Sequence, residues 1–305
     1  MENQKILVTG SMSFIGLNLI KRIKDKNEIH AVVHKQKPTT TQKEILSNTT
    51  VHRIDITSEN ISELIQQIKP DIIFHLAAYS NANRDEQHLI PAIKANIEGI
   101  SNLLKATINT NLKRFVNISS SEVYGPSETR FVETQKLNPV SPYGITKATA
   151  ENICNFYYNT YNVPIVNIRP IMVYGEYQSE NKIIPFLIKS CKENENINMT
   201  SGTQTRDFLY VEDLIEALIK AATKPVEGET INIGTTHEIS IKELALKIKG
   251  LTNSKSQINF GVIPTKNNEI MRMHIDITKA KTLLSWEPTT SLDAGLKKLY
   301  NLKFG

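Results

Sequence analysis

The segment Ser141-Pro142-Tyr143-Gly144-Ile145-Thr146-Lys147 sets a phenol and an ammonium four residues apart. On a helix such a pair shares one face. Ser141 can cap that helix, and Pro142 suits its first turn. A tyrosine titrating near 10 is a poor base at neutral pH. An ammonium a few ångströms away stabilises the phenolate, so Lys147 is expected to lower the pKa of Tyr143. The pair then suits proton transfer while a nicotinamide cofactor takes or gives hydride, and the same lysine can hold the cofactor's ribose. Upstream, Asn117-Ile118-Ser119-Ser120-Ser121-Glu122-Val123-Tyr124-Gly125 closes an apolar run with three serines. Hydroxyls at a strand's carboxyl end can hydrogen-bond a substrate hydroxyl or carbonyl.

A second constellation lies at the N-terminus. Lys5-Ile-Leu-Val-Thr-Gly10-Ser-Met-Ser-Phe-Ile-Gly16 reads as a strand, a glycine-punctuated turn and a helix start. Its backbone N–H groups and helix dipole can cradle a pyrophosphate. Gly10 permits the tight turn, and Gly16 lets the helix pack on the strand. Ser13 stands where a three-glycine fingerprint has its middle glycine. If that position required positive φ, Ser13 would cost about 1–2 kcal/mol; its hydroxyl could instead donate to a phosphate. The next strand, Ile29–Val33, runs into His34-Lys35-Gln36-Lys37 without the carboxylate that usually receives the ribose 2′-hydroxyl of NAD. Lys35 and His34 would suit a 2′-phosphate. The expected cofactor is therefore NADP(H), with NAD(H) the alternative.

These residues need a rigid frame. Short β-rich runs recur at 5–9, 29–33, 50–54, 71–75, 114–119 and 164–169, most of them apolar throughout. That pattern belongs to parallel strands covered on both faces. Helical patterns lie between them, at 15–26, 61–68, 90–107 and 143–161. The expected fold is α/β, a doubly wound Rossmann-type parallel sheet with 230–233 as an added edge strand. Residues 1–170 plus about 205–235 are assigned to this domain. Residues 171–204 and 236–305 are assigned to a smaller C-terminal substrate domain.

Composition narrows the classes further. The chain has 305 residues, 40% of them hydrophobic, enough for a sizeable core. No apolar run reaches the roughly 18 residues of a membrane helix, and residues 1–5 show no signal-peptide pattern; a cytoplasmic location is expected. The net charge of +5 comes from scattered residues, which argues against nucleic acid. Two cysteines make a disulfide framework implausible. His75 lacks partners at ligand spacing, so no metal is expected.

The loop Thr9-Gly10-x-x-Ser13-Phe14-Ile15-Gly16 resembles the TGxxGFxG loop of the extended short-chain dehydrogenase/reductases, the nucleotide-sugar epimerase/dehydratase family. Other motifs follow in the family's order across the chain. Asp55-Ile56 resembles its adenine-contacting pair, and His75-Leu76-Ala77-Ala78 its HLAA loop along the cofactor. Asn96 resembles the asparagine of its next helix. Asn167-Ile-Arg169-Pro170-Ile-Met172-Val-Tyr-Gly175 resembles RPxNVYG, with Met172 replacing an asparagine near the substrate. Thr205-Arg206-Asp207-Phe208 resembles the TRDF segment.

The resemblance implies an enzyme in which Ser120, Tyr143 and Lys147 act at C4 of a nucleoside-diphosphate sugar. It implies cofactor contacts from the glycine loop, Asp55, Ile56, Leu76–Ala78, Asn96, Ser119 and Pro170. It gives Ser121, Glu122 and Met172 to the sugar, and Arg206 with Arg272 to the diphosphate. Glu122 is either an acid/base of the dehydratase kind or an orienting group. Trp286 reads as packing. The helix bearing Tyr157, Tyr158 and Tyr161 implies a homodimer or, equally, core packing. A net 4-ketoreductase is expected first, because the missing acid suits NADPH. A C4 epimerase and a 4,6-dehydratase, both recycling the cofactor, follow. A non-enzymatic cofactor-binding sensor is the reading from another class.

Overall fold

A computed structural model describes residues 1–34, 36–81, 83–265 and 269–304 of the chain. Seven strands form one parallel sheet: β1 (Lys5–Thr9), β2 (Glu28–Val33), β3 (Thr50–Arg53), β4 (Ile72–His75), β5 (Arg114–Ile118), β6 (Ile165–Pro170) and, after three strands outside this sheet, β10 (Thr230–Ile233). Their spatial order is β10-β6-β5-β4-β1-β2-β3. Every expected strand of the sheet is present, and β10 extends the β6 edge as anticipated. β1 pairs with both β2 and β4, so the chain reverses its direction of winding there. A crevice opens at the carboxyl ends of strands at such a point.

The helices cover both faces. α1 (Phe14–Ile23) and α2 (Thr40–Ile45) lie on one face, which α8 (Val211–Thr223) shares; Leu17, Ile20, Leu214 and Leu218 pack there against Ile6, Val8 and Val116. α3 (Asn60–Ile68), α5 (Gly99–Thr107) and α6 (Pro142–Tyr161) cover the other, where Ile65, Leu103 and Cys154 meet Leu7, Val32 and Phe115. Strands buried on both sides explain the unbroken apolar runs in the sequence. Between β4 and α5, the helix α4 (Leu89–Ile93) continues into α5 through one wide π turn, Lys94–Glu98, which contains Asn96.

A second sheet stands over the carboxyl end of the first. β7 (Met172–Tyr174), β9 (Thr205–Tyr210), β11 (Glu238–Ser240) and β13 (Arg272–Met273) form it around β9. β8 (Ile197–Asn198) and β12 (Ile258–Asn259) pair separately. Helices α7 (Ile183–Lys192), α9 (Ile241–Leu251) and α10 (Leu292–Phe304) bury a third apolar cluster with β8 and β9. The segment 205–210, read from sequence with the large sheet, pairs here instead, and the return to the large sheet begins with α8. β9 is buried on both faces in this second sheet, and its own residues do not show which sheet covers it.

Candidate functional site

The crevice at the β1–β4 reversal holds a groove of about 450 Å³. Gly10, Ser13, Phe14, Ile15, His34, Leu76, Ala77, Ala78, Tyr143 and Lys147 line it, with Gln178, Ser179 and Lys182 closing one side. A larger hollow, about 750 Å³, between Glu238–Glu243 and Pro288–Asp293 shares no wall residue with it.

Local chemistry builds the glycine loop. Gly10 sits at φ +68°, and a Cβ there would lie 2.7 Å from the Ala77 nitrogen. A side chain is excluded twice over, by conformation and by space. A Cβ on Gly16 would strike the Gly10 carbonyl oxygen, so the helix can start this close only with glycine. Ser13 lies at φ −73°, ψ 162°, and its hydroxyl accepts from the Gly16 N–H as the cap of α1. The position needs no positive φ, so the anticipated strain does not arise. Capping replaces the missing glycine with a stabilising contact.

A buried lattice ties the loops together. The Asn96 amide donates to the Tyr79 carbonyl and to the Thr146 hydroxyl, and its oxygen accepts from the Tyr79 N–H. It thus ties the loop after β4 to α6, a positioning task rather than a contact along the groove. The Thr9 hydroxyl bonds His75 at 2.9 Å. Burial, reinforced by the charge on Lys147, pushes His75 down to about 3, so this imidazole is neutral.

At the groove's inner end, Ser141 caps α6 by accepting from the Gly144 N–H, and Pro142 fills the first turn. That start aims Tyr143 at the serine turn, where its phenol meets the Ser120 hydroxyl. The Lys147 Nζ stands 6.0 Å from the Tyr143 ring centroid and donates to the Ile118 carbonyl at 2.5 Å. The phenol is not lowered as expected. Burial pushes Tyr143 up to about 12 against the Ser120 hydrogen bond, and brings Lys147 down to about 8. Desolvation outweighs a cation that is already committed to a carbonyl.

Ser119 and Ser121 are buried. The Ser120 hydroxyl accepts from the Glu122 N–H at 3.2 Å. Glu122 accepts from Ser141 at 3.4 Å, and burial raises its carboxyl pKa against the pull of Arg84 and Arg206. Arg206 lies close enough to Glu122 for its charge to act on that carboxyl, and it pairs with neither Asp207 nor Asp213. Its guanidinium donates to Glu269 at 2.5 Å and to the Thr205 carbonyl at 2.7 Å. Asp207 accepts instead from Thr235 and Thr236, and Asp213 from Thr289 and Thr290.

Other expected contacts lie apart from the groove. Arg272 makes a bidentate pair with Glu238 and donates to the Glu128 carbonyl at 2.6 Å, which occupies its fork. Met172 pairs in register with Phe208 and packs on the third cluster. Pro170 is paired in the sheet opposite Ile233, and Ile56 packs against Gly99. The Trp286 indole donates to the Asp213 carbonyl and is buried, as packing requires. Asp55 accepts from the N–H and hydroxyl of Thr57 and pairs with His34 at 3.2 Å. Those bonds hold its carboxyl below the usual range. Lys35 lies outside the described residues.

Sequence reasoning missed Gln178, Ser179 and Lys182, which belong to a polar stretch read only as irregular; their place after Tyr174-Gly175 was the available signal. It also missed Arg84, whose charge faces Glu122. Among the described residues no His, Cys, Asp and Glu group could hold a metal, and no helix is long and apolar enough to cross a membrane.

A dinucleotide fits this groove. Its walls include the helix N-terminus with two forced glycines, Tyr143 and Lys147. No carboxylate is among its lining residues, whereas Lys147, Lys182 and His34 are.

Comparison with known proteins agrees. The pattern of the NAD dependent epimerase/dehydratase family matches residues 6–234. The chain is 32% identical to a Bacillus subtilis protein named "uncharacterized UDP-glucose epimerase YtcB", over 96% of this chain and 95% of that one. It is 30% identical to the dTDP-D-glucose 4,6-dehydratase of Mus musculus, over 97% and 87% of the two chains. The UDP-glucuronic acid 4-epimerase of Bacillus cereus, solved as a point mutant with NAD and UDP-4-deoxy-4-fluoro-glucuronic acid, superposes with a TM-score of 0.90 at 32% identity, covering 97% and 98%. A Rossmann-type sheet, a forced-glycine dinucleotide loop, a Tyr-Lys pair at its inner end and a family match over three-quarters of the length converge on one conclusion: the chain is an enzyme of the NAD dependent epimerase/dehydratase family, within the extended short-chain dehydrogenase/reductases.

Proposed function

We propose that this enzyme is an NAD-dependent C4 epimerase of a UDP-sugar, with the second sheet and its helices forming the substrate side of the cleft. The carrying observation is the meeting of Ser120, Tyr143 and Lys147 at the end of a dinucleotide groove. UDP-sugar 4-epimerases among the similar structures support the reading. They give no support to the net 4-ketoreductase that the missing strand-end acid first suggested.

A bound oxidised dinucleotide would supply the acceptor for the C4 hydride and a positive charge that favours the phenolate. Tyr143 takes the proton from the C4 hydroxyl and later returns it. The Ser120 hydroxyl holds the same oxygen. Lys147, anchored on the Ile118 carbonyl, keeps two further N–H bonds for a ribose. Arg206, already turned toward Glu122 and Glu269, offers charge to the diphosphate. With NAD⁺ and no added reductant, UDP-glucose or UDP-glucuronate should equilibrate with its C4 epimer, read by NMR of the sugar ring. Consumption of added NADPH as a condition of turnover would refute the reading.

The similar structures solved with a dinucleotide hold NAD, which supports NAD over NADP. NAD⁺ is therefore expected to bind the purified protein at least tenfold more tightly than NADP⁺ by calorimetric titration, about 1.4 kcal/mol. Tighter NADP⁺ binding would show that His34 and its neighbours recruit the phosphate after all.

The 4,6-dehydratase stands second, because Glu122 lies in the site with its pKa raised by burial. A carboxyl whose pKa is raised by burial is better suited to shuttle a proton at C5 and C6. We also propose a homodimer through α4 and α6. These adjacent helices expose Ile90, Ile93, Ile145, Phe156 and Tyr161, whereas Tyr158 turns inward onto Gly228. Sedimentation at twice the 34.4 kDa chain mass is the expected result; a monomer at micromolar concentration would overturn it.

A further inference from the structure

The segment after β7 has features that the proposed chemistry does not use. Gly175–Lys182 leaves the second sheet and crosses to α1, the helix of the glycine loop. Two side chains of α1 pin it there. The Asn18 amide, nearly buried, donates to the Phe14 carbonyl and to the Glu176 carbonyl, both at 2.9 Å. The Lys21 Nζ donates to the Glu176 carboxylate at 3.0 Å and to the Tyr177 hydroxyl at 3.2 Å, with the Tyr177 ring centroid 5.4 Å away.

Between these pins the backbone is strained. Tyr177 adopts φ +68°, a left-handed conformation that a bulky residue holds only when its surroundings enforce it. The consequence of that turn is the placement of Gln178. Its Nε2 donates to the Val173 carbonyl at 2.8 Å, which fixes which end of the amide is oxygen. The oxygen is buried and meets no hydrogen-bond donor among the described residues. Gln178 lines the groove together with Gly10–Ile15, Tyr143 and Lys147, and Ser179 and Lys182 follow it along the same wall.

We infer that Gly175–Lys182 is a strap that retains the dinucleotide between turnovers, latched to α1 by Asn18 and Lys21, held to β7 by the Gln178 bond to the Val173 carbonyl, and walling the groove with Gln178, Ser179 and Lys182. Gln178 and Lys21 are positioning residues here; neither moves a proton. The inference rests on the proposed recycling of NAD, since only an enzyme that returns its hydride gains from holding the cofactor through every cycle.

The test compares Lys21→Met and Gln178→Leu with the parent protein. Each is loaded with radiolabelled NAD⁺, then chased with unlabelled NAD⁺, and dissociation is timed. Lys21 is half-exposed, so its replacement leaves the fold intact, and Gln178→Leu keeps the volume. Each variant should release NAD⁺ about 3- to 10-fold faster, the value of one or two hydrogen bonds. The dissociation constant should rise by the same factor while the thermal midpoint of the cofactor-free protein stays put. Release within twofold of the parent in both variants would overturn the strap while leaving the epimerase reading untouched. A parent that binds NAD⁺ weakly and drops it at once would overturn both.

Discussion

Replacing Tyr143 with phenylalanine should lower turnover by roughly 10²- to 10⁴-fold, the contribution of a placed general acid–base group. The change removes one hydroxyl and keeps the ring. Lys147 retains its bond to the Ile118 carbonyl, and the Ser141 cap retains Gly144. NAD⁺ affinity and thermal midpoint should therefore change little. In the cofactor-free protein burial pushes the phenol to about 12, so Tyr143 is not a free-standing base at neutral pH. It needs positive charge in the groove to ionise, which couples proton abstraction to occupancy by the oxidised cofactor. Steady-state kinetics of Tyr143→Phe decide the matter. A loss smaller than tenfold would mean that Glu122 or water takes the proton.

The second large effect is on stability. Glu151 lies one turn beyond Lys147 on α6. It accepts two hydrogen bonds from Arg169 of β6, at 2.9 and 2.6 Å, with the two side chains 3% and 6% exposed. Burial alone would depress Arg169, but the Glu151 contacts hold it charged. Arg169 also donates to the Tyr124 hydroxyl, which donates to Asn232. Breaking one half of such a pair leaves a buried charge uncompensated and costs about 3–5 kcal/mol. Glu151→Leu should show that loss in urea denaturation. The double change Glu151→Leu with Arg169→Met should recover most of it, because two well-packed apolar side chains often match a buried ion pair. A single-variant loss below about 1 kcal/mol would mean that water or Tyr124 already satisfies Arg169.

The frame was legible because its physics is local. Seven short β-rich runs, most of them apolar, specify parallel strands, and Ser141-Pro142 before an i, i+4 pair specifies a helix start that aims Tyr143. The same local logic failed where distant residues decide. β9 was placed with the wrong sheet because its pairing with β7, β11 and β13 leaves no mark in its own residues. Helix α7 and the strap lay hidden in a stretch whose glutamates, asparagines and lysines read as irregular. The phenol was expected to fall because only Lys147 was considered; the desolvation that raises it is a property of the assembled site. Arg206 found Glu269, sixty-three residues on, and Arg272 found Glu238, neither of which spacing along the chain reveals.

The fate of a single deuteron tests the central claim most directly. UDP-glucose or UDP-glucuronate carrying deuterium at C4 is incubated with the enzyme and NAD⁺, and the product is analysed by NMR. A C4 epimerase that takes and returns the hydride within one site should give the epimer with its deuterium still at C4. Deuterium carried to C6 with loss of water would contradict the account in favour of a dehydratase. Failure to turn either substrate over, together with NADPH-dependent reduction of a 4-keto sugar, would contradict it in favour of a net reductase.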